Sequence, residues 1–236
     1  MNSARRSRFN TCPSIEHLEP RLVLAGNIVA NLVGDTLYLT GDRLDNDAIV
    51  TVRDGLVHVG SIKNTTINGA PSLSLNVDST RLNLVIDGAA GNDQLWVNVG
   101  TANMATEVTI RGGDGNDHLA VVPTSNGAGI AGILLGSVFI DTGKGDDLVD
   151  LGVNVTGNAS ILGGVGADQV SLQTVSVAGN LLIATGDGND RVSIAMGTSV
   201  GGTRTLDGGK GRDVITLPSG LAADAVFLAF EDIRLL

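Results

Sequence analysis

Six segments of this chain repeat one pattern: an aliphatic residue, a glycine-rich turn, an aspartate, then a strand with apolar residues at alternate positions. They are IDGAAGNDQLWV from Ile86, IRGGDGNDHLAV from Ile110, IDTGKGDDLVDL from Ile140, ILGGVGADQVSL from Ile161, IATGDGNDRVSI from Ile183 and LDGGKGRDVITL from Leu206. Aligned on the last acid, they form a column of Asp93, Asp117, Asp147, Asp168, Asp190 and Asp213, each preceded at two residues by glycine. Aliphatic residues stand two after, four after and seven before every aspartate. An internal repeat binds each unit to its neighbours, so it limits the fold more than any other feature.

Side chains alternate faces along a strand, so the residues two and four after the aspartate share one face, and that face must be buried. A single unit has no partner for it and becomes stable only by stacking. Successive aspartates lie 24, 30, 21, 22 and 23 residues apart. That length suits two or three short strands joined by turns. The expected fold is all-β: a parallel β-helix or β-roll-like solenoid of about 22-residue coils, glycine turns along one edge, both ends capped. The longest interval contains PTSNGAGIAGILLG, Pro123 to Gly136, which reads as a surface loop inserted into an ordinary coil.

Stacking coils about 4.8 Å apart would bring the aspartates equally close. Two carboxylates at that distance repel by roughly 3.5 kcal/mol at an effective dielectric near 20. Six in a row, with Asp114, Asp146 and Asp187 in the same turns, need cations or raised pKa values. Hard carboxylate and carbonyl oxygens suit calcium, and no soft ligand is present to favour a transition metal. The competing arrangement is an Asx ladder, each aspartate accepting backbone N–H groups without any metal. By count of acids, the turns of Asp117, Asp147 and Asp190 are the richest and those of Asp168 and Asp213 the poorest.

The turn resembles the calcium-binding nonapeptide GGxGxDxφx of the repeats-in-toxin (hemolysin-type) proteins, and GGDGNDHLA at Gly112 to Ala120 matches it at every defined position. The resemblance covers about Leu84 to Leu217 and implies calcium between equivalent turns, held by aspartate carboxylates and turn carbonyls. The implied ligands are Asp93, Asp114, Asp117, Asp146, Asp147, Asp168, Asp187, Asp190 and Asp213. Two departures stand out: about a dozen residues separate successive motifs, and Thr142, Thr185 and Ala89 replace leading glycines. HLEPRLVLA, His17 to Ala25, is similar to the LEPR-x-L-L motif near the N-terminus of predicted planctomycete extracellular proteins, which implies export or surface display.

Residues 1–26 read as a basic targeting tail, 27–79 as an N-terminal β cap, 80–218 as the solenoid and 219–236 as a C-terminal cap strand. In the first cap, NIVANLVGDTLYLTG and DAIVTVRDGLVHVG read as hairpins, and Asp47 as a loosened copy of the column about two coils before Asp93. In the last, Phe227 and Phe230 are placed to fill the space where stacking stops. A formal charge of −10 argues against nucleic acid, which demands clustered Lys and Arg. No apolar run approaches the ~20 residues of a membrane span, and LVLAG is too short for a conventional secretory signal. Cys12, the sole cysteine, supports neither a disulfide framework nor a cysteine zinc site.

Catalytic motifs are missing: there is no GxSxG, HExxH or P-loop, and the three histidines are scattered. The expected function is a secreted or cell-surface calcium-binding repeat protein, structural or adhesive, with no enzymatic activity. Its partners would be calcium ions and cell-surface or matrix components. A carbohydrate-active β-helix enzyme is the alternative of another class, signalled by polar residues converging in a cleft on one sheet face. Trp96 on such a face would offer a sugar platform. A metal-free surface scaffold is the third reading.

Overall fold

The computed structural model describes residues 26–53, 55–63, 65–77, 82–100, 107–124 and 134–236. It is nearly all-β, with one short helix, Ser219–Ala222. The tail, Cys12, the LEPR motif and most of the Pro123–Gly136 insertion lie outside the described residues.

Each repeat contributes strands to two long sheets, and four of them add a short strand to a third. The strand before the glycine turn joins a first sheet of 12 strands, which includes Asn83–Ala90, Val108–Asp114, Val138–Lys144 and Ala159–Val165. The strand after the aspartate joins a second sheet of 10, which includes Gln94–Val99, His118–Pro123, Leu148–Leu151 and Gln169–Leu172. Two-residue strands such as Asn154–Val155 and Ser176–Val177 build a third sheet of four. Within the repeats every neighbour is parallel and in register by repeat position. Ile86 thus stacks on Ile110, Ile140, Ile161, Ile183 and Leu206. Leu95 likewise stacks on Leu119, Val149, Val170, Val192 and Ile215.

These ladders are the core. All eighteen aliphatic residues at the three repeat positions are at most 2% exposed. The short third-sheet strands carry Val155, Val177 and Val200, also buried. With almost no aromatic side chains to span a wide interior, aliphatic residues fill a narrow one.

The N-terminal segment differs from expectation in one respect. Its hairpins form as read: Asn27–Val33 runs antiparallel to Thr36–Thr40, and Asp47–Arg53 antiparallel to Leu56–Gly60. However, Asp47 pairs with Gln94, one residue past the column, so Asn46 and not Asp47 occupies the aspartate position. Asn46 sits directly beside Asp93 with no coil between them. The intervening residues instead build antiparallel strands, among them Leu56–Gly60 and Ser72–Asn76, outside the parallel stack.

The C-terminal segment also departs from its reading as a cap. Ala225–Leu228 pairs in parallel with Arg204–Asp207, and Asp232–Leu235 in parallel with Val214–Leu217. The segment is one more tier of the stack. Phe227 takes the inward position beside Leu206 and, like Phe230, is only partly buried.

The core ladders predict the effect of a single inward charge. Burying an aliphatic side chain contributes ~1.5–3 kcal/mol, and an unpaired carboxylate in its place adds a desolvation cost. Val170→Asp should therefore lower the melting temperature by well over 10 °C and unfold the adjoining tiers, whereas Ser171→Asp, facing outward, should shift it little. Circular dichroism melts of the two variants check this, and similar melts for both would contradict the facing.

Candidate functional site

The aspartate column lies at the start of the second sheet, where the chain leaves the glycine turn. All six side chains are at most 2% exposed. One oxygen of each accepts a main-chain N–H from the preceding tier. Asn46 N donates to Asp93 Oδ1 at 2.7 Å, Asp93 N to Asp117 Oδ1 at 2.8 Å, and Asp117 N to Asp147 Oδ1 at 2.7 Å. The series continues through Asp168, Asp190 and Asp213 at 2.8–2.9 Å. It ends with Asp213 N donating to Glu231 Oε2 at 2.6 Å. Asn46 and Glu231 are thus the terminal members of the column, and the sequence carried a trace of both. Ala48 and Val50 follow Asn46, and Ile233 and Leu235 follow Glu231, at the repeat's two apolar positions.

The second oxygen is the unusual one. Oδ2 of Asp93, Asp117, Asp147, Asp168, Asp190 and Asp213 is buried without a hydrogen-bond donor. It points back across its own turn, toward the residue five positions earlier. A Cβ placed on Gly112 would collide with both Asp117 Oδ2 and Thr142 O, the carbonyl at the same repeat position of the next tier. Gly88 stands in the same relation to Asp93 Oδ2 and Gly112 O, Gly163 to Asp168 Oδ2 and Thr185 O, and Gly208 to Asp213 Oδ2 and Ala229 O. At these four turns two acceptor oxygens crowd one point. At the other two turns the fifth position is threonine. Thr142 Oγ1 donates to Gly163 O, and Thr185 Oγ1 donates to Gly208 O at 2.9 Å. There a hydroxyl supplies the donor that the glycine turns lack.

The glycine two before each aspartate is needed for close approach. A Cβ on Gly145 would strike Gly115 O, and one on Gly211 would strike Gly188 O. The glycine four before has positive φ as well, and in the weakest copy Ala89 takes φ 75°, a conformation costly for an L side chain.

The remaining sequence-predicted acids do not join the column. Asp114 and Asp187 sit on the outer edge of the turns and pair with Lys144 and Lys210, each at 2.8 Å. Asp146 is exposed and belongs to a second ladder one residue before the column. In that ladder Asn116 N donates to Asn92 Oδ1 at 2.9 Å, Asp146 N to Asn116 Oδ1 at 2.9 Å and Ala167 N to Asp146 Oδ1 at 2.8 Å. Its bonds run opposite to those of the buried column. Among the described residues, no three His, Cys, Asp or Glu side chains converge on one point. The extra acids of the acid-rich turns thus look outward, and two of those three turns contain the threonines.

The outward face of the second sheet holds one small cluster. His118 Nε2 lies 2.9 Å from Asp150 Oδ2, and the His118 ring meets Trp96 edge-on with centroids 5.3 Å apart. Hollows of about 290 Å³ (lined by Ser61, Lys63, Thr65, Thr66 and Pro71) and about 190 Å³ (with Leu32, Asn76 and Leu82) lie in the N-terminal part, and neither is lined by this cluster. Among the described residues, no helix is long and apolar enough to cross a membrane.

Burial disfavours the charged form of a carboxyl group. Desolvation lifts Asp93 and Asp117 to about 7 and Asp168 to about 8 against the pull of the donated N–H, and it also raises Asp147 and Asp213. A folded-state pKa above the ordinary 3.8 means that the folded chain holds its protons more tightly than the unfolded one. That contribution to stability is complete below about pH 4 and is lost as pH rises through 7 to 8. The metal-stripped protein should consequently melt lower at pH 8.5 than at pH 5. Asp168→Asn keeps an oxygen for Asp147 N–H and sets an amide donor near Thr185 O, so at pH 8.5 it should melt higher than wild type. Melts of both proteins across this range are the check, and a melting temperature that climbs with pH would contradict the burial argument.

No protein-family model, curated protein or solved structure matches this chain.

Proposed function

We propose that this chain is a non-enzymatic structural or adhesive repeat protein displayed outside the cell, its stacked sheets closing into a parallel β-solenoid that takes calcium along the turn edge. The observation that supports this most is the set of buried, donorless Oδ2 atoms, four of them crowded against a carbonyl oxygen of the next tier. Two facing acceptors need something positive between or beside them, and hard oxygens in that arrangement suit calcium. Asp93, Asp117, Asp168 and Asp213 fit best, with turn carbonyls completing the set because among the described residues no third acidic side chain converges. Asp147 and Asp190 fit less well, since Thr142 and Thr185 already serve the neighbouring carbonyls. Bound calcium would neutralise the column and join one tier to the next.

A specific observation favours a second reading. Each Oδ1 already accepts an N–H, and protons on the raised-pKa carboxyls would supply the missing donors, which gives a metal-free ladder. The two readings separate at pH 8, where the protons are leaving. A ligand at a hundredfold excess over its Kd adds about 2.7 kcal/mol to stability. Millimolar calcium should therefore raise the melting temperature by several degrees over EGTA. Magnesium should do less, because it demands a small octahedral site. Calorimetric titration should show binding heat that falls sharply in Asp117→Asn and less in Asp190→Asn. Equal melts in all three buffers and no heat would leave the proton-closed ladder as the account.

Display outside the cell rests on the HLEPRLVLA segment. Residues 1–26 fused to a reporter in a planctomycete host should carry it out of the cytoplasm, and replacing Glu19, Pro20 and Arg21 by alanine should retain it. Cytoplasmic residence of the unaltered fusion would overturn the export reading.

The catalytic alternative is weaker. His118, Asp150 and Trp96 meet on an outward face, and neither hollow of the N-terminal part is lined by them.

A further inference from the structure

The two ends of the stack are built differently. At the N-terminal end the strands reverse direction; Ile28, Val57, Val59 and Ile67 are covered there, while Leu32, opposite the buried Leu37, is 39% exposed. At the other end Ala225–Leu228 and Asp232–Leu235 are the outermost strands of the first and second sheets and run parallel to their neighbours. Ile233 pairs with Ile215 and Leu235 with Leu217, so both occupy inward columns, yet they are 44% and 59% exposed where their partners are 0%. Val226 and Leu228 are exposed too, but on the outward face of their strand, since Phe227 between them takes the inward position. Among the described residues, no strand pairs with the outer edge of either terminal strand. An apolar face beside a free strand edge is a template for another strand.

The geometry points to a second copy of this chain as the occupant: two molecules join end to end at their C-terminal tiers about a two-fold axis. The argument rests on three features. At the N-terminal end the pairings turn antiparallel, so the parallel C-terminal tier finds no matching parallel tier there, which disfavours head-to-tail growth. The edge strand is self-complementary in charge. In an antiparallel pairing centred on Ile233, Asp232 stands opposite Arg234 of the second copy, and Arg234 opposite its Asp232, while the two Ile233 side chains meet on the inward face. Arg234 now bonds Asp232 of its own strand, so the pairing exchanges one ion pair for an equivalent one. Finally, Ala225–Leu228 and Asp232–Leu235 flank the same core. One axis through both sheets reverses each strand onto its own copy, as an isologous interface requires.

The test uses the full chain with Cys12→Ser, so that any introduced cysteine is the sole thiol. Sedimentation at micromolar concentration should show a species of twice the 24.0-kDa chain mass. Ile233→Cys should form an intermolecular disulfide under mild oxidation, because the two-fold places the residue against itself. Val165→Cys, exposed on a turn far from this end, should not. Leu235→Lys should raise the dimer Kd by at least roughly tenfold with the strand signature in circular dichroism retained. If Leu235→Lys disturbs folding, the cross-link at 233 remains decisive. A chain that stays monomeric, a size distribution that grows without limit, or equal cross-linking at 165 and 233 would overturn the proposal.

Discussion

Each aspartate of the column turns one oxygen toward the main-chain N–H of the tier before it, and the rest of the structure follows from that bond. It ties tiers together at the position where the chain leaves the turn and enters the second sheet, so it fixes the register of the strands that follow. A slip of one residue would move every inward side chain outward. From Asn46 to Glu231 the bonds form an unbroken line across eight tiers. The aliphatic ladders supply most of the driving force for stacking, but they are chemically alike and slide easily. The carboxylate bond is directional, and it selects one register among them.

The same bond forces the composition of the turn. To reach the preceding N–H, each carboxylate folds back under its own turn and brings Oδ2 against the residue five positions earlier. A side chain there must be absent or must be a hydrogen-bond donor, which explains why the position holds glycine four times and threonine twice. The turns themselves lie so close that the carbonyl two residues before one aspartate points at the equivalent Cα of the next tier. Glycine is demanded there by the neighbouring tier as much as by the turn's own dihedral angles. Buried carboxylates in line are the cost of this construction, and raised pKa values are its electrostatic expression.

Charge outside the column is arranged to offset it. The exposed ladder of Asn92, Asn116 and Asp146 bonds in the reverse direction, and on the outer edge Asp114 pairs with Lys144 and Asp187 with Lys210. Such surface pairs contribute little individually. Their effect is to keep the outer acids engaged away from the interior.

The sequence by itself determined the period, the three inward positions, the parallel stacking of strands and the placement of the aspartates along one edge. Each follows from local pattern: alternation sets facing, glycine sets the turn, and a unit without a partner must stack. Only the tertiary structure decided which oxygen of each aspartate is engaged, because that depends on a backbone group more than twenty residues away. It also decided that Asp114 and Asp187 look outward to lysines, that Asn46 rather than Asp47 begins the column, and that 219–236 adds a tier instead of closing the end. In these cases several local readings are equally good. Side-chain type and spacing are the same whether a carboxylate points into the stack or away from it, and a terminal strand has the same alternation whether it covers the core or extends it. What separates them is the position of the neighbouring tier, which no single repeat contains.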